Sequence, residues 1–192
     1  LDLYPIIGLT SNITSKGMVK GLGTDPTLMQ ADMDIEVLNS EIDSIRVDSL
    51  YFSSIIDAKF LTIELESIIN EAKGSINGTL DLENEEEPIY NLEGNVENLI
   101  LSNFTKDPRD SSNLNLNFLA DGSNLKLDDL KGQYEISLLP SYLRDLALDE
   151  TSIILAVDKS GIDRDINLSS DFVDFNIEGQ FSPTSTAACI II

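Results

Sequence analysis

The residues best able to do chemistry in this chain are acids. The run Glu83-Asn84-Glu85-Glu86-Glu87, the pair Asp128-Asp129, and Asp107 with Asp110 each offer carboxylates close enough to hold Ca²⁺ or to act as an acid/base pair. None of them carries the spaced oxygens and central glycine of an EF-hand loop. The plainer reading is solvated loop charge that keeps strand edges from pairing. Nucleophilic catalysis has little to work with. There is no His to act as base, and the single Cys, Cys189, lies near the end. A zinc site has no ligands, and no phosphate-cradling glycine loop occurs. No motif calls for a cofactor, and the expectation is a protein that is not an enzyme. Four Asn-x-Ser/Thr triplets, at Asn12, Asn77, Asn103 and Asn167, match glycosylation acceptors, but a polar strand face rich in Asn, Ser and Thr produces such triplets by itself.

Charge narrows the partners. The chain has 34 acidic and 12 basic residues, a net charge of −22. Nucleic acid is excluded as a partner, because phosphate binding needs clustered Lys and Arg. An anionic membrane surface would repel the chain. The lone Cys forms no intrachain disulfide, and its absence from the body of the chain is compatible with a periplasmic protein.

Elements that could position any site follow from a two-residue period. From Leu114 to Ala120 the chain reads Leu-Asn-Leu-Asn-Phe-Leu-Ala. Similar alternation runs through Gly17–Gly23, Met29–Val37, Leu61–Leu65, Ile76–Leu82, Tyr90–Val96, Tyr134–Leu138, Ile153–Val157, Ile166–Leu168 and Val173–Phe181. Strands repeat every two residues, so each run gives one apolar and one polar face. Phase breaks between Ile42 and Leu50 predict a bulge or corner. Turns are expected at Thr24-Asp25-Pro26, Asn84–Pro88, Lys106–Asp110, Asp121-Gly122, Lys131-Gly132 and Ser160-Gly161. Leu65–Ala72 and Pro140–Leu146 could each form a turn or two of helix. Residues 1–181 read as one segment of a larger β-repeat protein, and 182–192 as a tail without pattern.

A faint repeat accompanies the alternation. Gly78 and Gly179, Asp48 and Asp149, Asp57 and Asp158, and Ile76 and Ile177 are each 101 residues apart (179 − 78 = 101). Repeated strand blocks suggest an array that grows by adding rungs.

The fold expectation is all-β: an elongated, largely antiparallel sheet curled into a groove, with few or no helices. The apolar residues expected to share the groove are Leu80, Leu82, Leu92, Val96, Leu114, Leu116, Phe118, Ile136, Leu138, Ile153, Leu155, Phe175 and Ile177. They are mostly aliphatic, in a chain with 6% aromatic residues and no Trp, which leans toward a groove over a closed sandwich. The alternative is an extracellular β-sandwich for adhesion or binding, with its function on loops.

Several phrases carry a family resemblance. Ile42-Asp43-Ser44-Ile45-Arg46-Val47, Gly74–Leu82, Tyr90–Leu99, Leu114–Ala120, Leu125–Gly132 and Ile177–Phe181 resemble the repeat region of AsmA-like proteins, most of all the TamB-type translocation and assembly module. The resemblance spans residues 13 to 181. It implies a periplasmic protein anchored in the inner membrane, with a taco-shaped apolar groove that moves phospholipid toward the outer membrane. It also implies a barrel partner in the outer membrane, met through regions outside these residues.

Overall fold

In the computed structural model, residues 10–23, 25, 27–43 and 45–182 are described. They form one open antiparallel sheet that does not close into a barrel. The strands are β1 (Ser11–Asn12), β2 (Ser15–Leu22), β3 (Gln30–Ile42), β4 (Ile45–Asp57), β5 (Phe60–Ile69), β6 (Ala72–Asp81), β7 (Ile89–Leu99), β8 (Ser112–Ser123), β9 (Lys131–Leu138), β10 (Ser141–Leu143), β11 (Leu146–Leu148), β12 (Thr151–Ser160), β13 (Asp163–Ser170) and β14 (Asp174–Gly179). A single helical turn, α1 (Ser102–Thr105), and a 3₁₀ turn at Pro108–Asp110 sit between β7 and β8.

Three of the rungs are broken strands. β1 and β2 both lie along β3; β10 follows β9 along β8; β11 and β12 run along β10 and β9. Eleven rungs result, in simple meander order. At about 4.8 Å per rung the sheet is roughly 48 Å long. Substantial contacts between strands join only neighbours in this order. No helix among the described residues is long and apolar enough to cross a membrane.

The corner expected between Ile42 and Leu50 is present: a tight turn at Asp43, then a register shift between Val47 and Ser49. Both suggested helices are strands instead. Leu65–Ala72 is the end of β5, a two-residue turn and the start of β6; Asn70 and Glu71 take φ of 48° and 73°, closing a hairpin rather than a helix. Pro140–Leu146 holds β10 and the hairpin into β11. Two expected turns also move. Asp121-Gly122 ends β8 and Lys131-Gly132 begins β9, with Gly122 directly opposite Gly132. The chain turns later, from Asn124, whose φ is 66°. Glycine marks a crowded spot on the sheet here, not a loop. In the expected first turn, Asp25 accepts from the Thr27 N–H at 2.9 Å, while Thr24 and Pro26 lie outside the described residues, as do Ser44 and the tail from Pro183.

The 101-residue spacing is built into the backbone. Ser11 faces Ile42, and Ser112 faces Leu143; Ser15 faces Val37, and Leu116 faces Leu138; Val37 faces Leu50, and Leu138 faces Thr151. Each second pair is the first moved by 101 (112 − 11 = 143 − 42 = 101). The corners match too. Ser40 Oγ accepts from the Thr14 N–H at 2.9 Å and donates to Leu38 O at 3.1 Å. Ser141 Oγ accepts from the Asn115 N–H at 2.9 Å and donates to Leu139 O at 2.7 Å. Both serines are buried. Later, β5–β6 and β13–β14 keep the relation, with Ile63 facing Gly78 and Arg164 facing Gly179. The one departure is a slip of four residues between β12 and β13: Phe52 faces Leu65, but Ile153 faces Ser170 rather than Ile166. One block is therefore six rungs, and β14 occupies the place of β6.

Candidate functional site

Directly opposed residues in an antiparallel pair share a face, so register decides which side each side chain takes. Leu80 faces Tyr90; Leu92 faces Ala120; Val96 faces Leu116, which faces Leu138; Phe118 faces Ile136, which faces Ile153; Tyr134 faces Leu155, which faces Leu168, which faces Phe175. Ile166 faces Ile177, and Leu114 faces Leu99. Twelve of the thirteen residues expected to line a groove thus share one face. Leu82 lies one residue past the end of β6, where its N–H donates to Lys59 O at 2.8 Å. The same face continues back through Leu61, Ile63, Leu65, Phe52, Ile56, Met33, Ile35, Val37 and Val19.

No second layer among the described residues covers this face. Among the described residues only four apolar side chains are buried: Val47, Ala72, Tyr90 and Val157. A closed core in a chain that is 42% hydrophobic would bury many more. Ile136, Phe175 and Ile177 each keep more than 40% of their surface exposed.

Glycines shape its middle. A Cβ on Gly94 would stand 2.6 Å from the Phe118 ring, and one on Gly78 would stand 2.6 Å from Leu92 Cδ2. These neighbours lie across the glycines and pack flat against the sheet. Gly122 sits beneath two hydroxyls, Tyr90 Oη and Tyr134 Oη, which are 2.6 Å apart. Tyr134 Oη also lies 3.2 Å from Lys131 O. Burial, then the bond to Tyr90, pushes the Tyr134 phenol well above its usual range, so it stays neutral. This pair is a polar feature set into the apolar face. Sequence reading counted Tyr90 and Tyr134 only as apolar positions; what pairs them is the glycine between, a signal visible only once register is known.

The opposite face carries polar ladders, interspersed with exposed apolar residues such as Ile55, Phe60 and Leu119. Asn91 Nδ2 donates to Asp121 at 2.9 Å, Asn95 Nδ2 to Ser75 Oγ at 2.8 Å, and Asn176 Nδ2 to Asp165 at 2.6 Å. Asn77 and Asn167 belong to these strands, Asn12 to β1 and Asn103 to α1. A shallow cavity of about 390 Å³ on this face is lined mostly by polar residues, Ser75, Asn77, Asn95, Asn117, Glu93 and Glu135 among them, with Leu119 beside them.

Several of the loop acids are held in ion pairs. Glu85 meets Lys59 at 2.9 Å, Glu87 meets Lys131 at 2.8 Å, Asp107 meets Arg109 at 2.6 Å, and Asp129 meets Lys159. Hydrogen bonds from those cations, followed by their charge for Glu85, Glu87 and Asp129 and by the Arg109 N–H for Asp107, hold the four carboxyls below the ordinary range. Among the described residues no three His, Cys, Asp or Glu side chains gather where a metal ion could be held. Comparison with protein families, curated proteins and solved structures finds no match to this chain.

Proposed function

We propose that this chain is a non-enzymatic segment of a periplasmic AsmA/TamB-like protein, and that its apolar face carries phospholipid acyl chains during outer-membrane biogenesis. The observation that carries the reading is one of phase: from β3 to β14 most of the apolar residues of each long strand fall on the same side, and no second layer of described residues covers them. Covering apolar area is worth about 25 cal/mol per Å² and has no preferred direction, so a hydrocarbon chain can slide along such a wall. The Asn-, Ser- and acid-rich outer face keeps the segment in water. The binding-sandwich alternative needs a second sheet, and the described strands make one.

Mass spectrometry of the protein purified from bacteria under gentle desolvation tests the reading. Bound phospholipid is expected. Ile136→Asp with Leu155→Asp, on the apolar face, should abolish it, while Leu119→Asp, on the opposite face, should leave it. Lipid-free wild-type protein, or equal loss from all variants, would overturn the proposal.

A further inference from the structure

Among the described residues the outer edge of β14 is unpaired, and it is the counterpart of an edge that is paired elsewhere in the same molecule. β14 holds the place of β6, and the far edge of β6 is covered by β7. Three details make the edge specific. First, Gly78 and Gly179 occupy the same position 101 residues apart; Leu92 of β7 lies across Gly78, whereas no heavy atom of the described residues comes within 4 Å of the Cβ direction of Gly179. Second, Phe175 and Ile177 stand 43% and 44% exposed on β14, although Ile76, the counterpart of Ile177, is more covered. Third, a row of acids, Asp158, Asp165 and Glu178, runs across β12, β13 and β14 and stops at this edge, with Asp174 further along it.

We infer that the β14 edge takes one antiparallel strand patterned like β7, supplied by a further six-rung block of the same repeat. The inference stands apart from what the groove holds. In the first block, Gly78 faces Leu92, Ile76 faces Gly94, Asn77 faces Glu93 and Lys73 faces Glu97. Moved by 101, the incoming strand sets a large aliphatic residue against Gly179 and a small residue against Ile177. The positions of Glu93 and Glu97 come to face Glu178 and Asp174, so the matching strand carries Lys there. The other end of the sheet is built differently: β2 offers Lys16 and Lys20 and no acid, which such a strand would not favour.

Three labelled peptides test this against the intact chain: the β7 sequence Ile89–Leu99, the same peptide with Glu93→Lys and Glu97→Lys, and that Lys form with its apolar phase shifted by one residue. Fluorescence anisotropy reads affinity, and amide hydrogen exchange reads location. The Lys peptide should bind roughly tenfold tighter than the native sequence, since two opposite-charge pairs replace two like-charge ones. The shifted peptide should bind at least tenfold more weakly than the Lys form. Protection should fall on the amides of Asp174–Gly179. Protection at Ser15–Leu22, equal affinity for all three peptides, or an edge already protected by self-association without peptide would each overturn the inference.

Discussion

Residues 10–57 and 111–158 trace the same path through the sheet although most of their side chains differ. Ile35 and Ile136 agree, as do Gly21 and Gly122, and Ser40 and Ser141; elsewhere Gly17 stands for Phe118, Met33 for Tyr134, and Phe52 for Ile153. The two copies differ in their surroundings. β8 lies between β7 and β9, and its alternate residues are covered. Its twin β2 lies at the end of the sheet and is exposed along its whole length. The interior strand uses Phe118 to pack across a glycine; the edge strand uses glycines and two lysines, residues that discourage further pairing. Backbone register is thus preserved where side-chain identity is free to follow position.

Exchanging the twins gives the largest expected effect. Phe118→Gly should lower stability by about 3 kcal/mol, because it uncovers Gly94 and opens the packed middle of the sheet. Gly17→Phe at the edge should cost less than about 1 kcal/mol, since β2 can shift away from Asp34. Urea unfolding followed by circular dichroism measures both, and equal losses would show that position in the sheet does not matter. The corner serines come next. Ser40→Ala and Ser141→Ala should each cost about 1–2 kcal/mol, agree within about 0.5 kcal/mol, and add in the double variant. A much smaller cost at Ser40 would mark the first corner as frayed.

The smallest effect separates the blocks by pH. The Tyr134 phenol is raised in the folded protein, so its stabilisation is complete below the pKa of an ordinary tyrosine, about 10, and fades as pH rises beyond it. Its twin, Met33, has nothing to ionise. Tyr134→Met should therefore reduce the loss of melting temperature between neutral and strongly alkaline pH, as read by thermal denaturation. An unchanged alkaline profile would detach the Tyr90–Tyr134 bond from stability.

Much of this architecture was legible before any coordinates. Alternation located most of the sheet and set Leu92, Phe118 and Ile153 each on the apolar side of its own strand, because a strand's period is two whatever its neighbours do; that these sides coincide is set by register. The phase break near Val47 announced the corner. What stayed hidden were features set by pairing across strands. Gly122 and Gly132 read as turn residues although they face each other inside the sheet. Asn70 and Glu71 sit in a run that also fits a helix, and only their positive φ closes the hairpin. The 101-residue block showed in sequence as four matched pairs; its strength lies in hydrogen-bond register, which tolerates any residue whose side chain suits the face.

A one-layer ladder also has a mechanical character. Because each rung is gripped only by the rungs beside it, tension applied between the two outermost strands, along the sheet's long axis, falls on one seam at a time. Such a protein should come apart in small successive steps at low force, with no single large barrier, and re-form from whichever rungs remain joined.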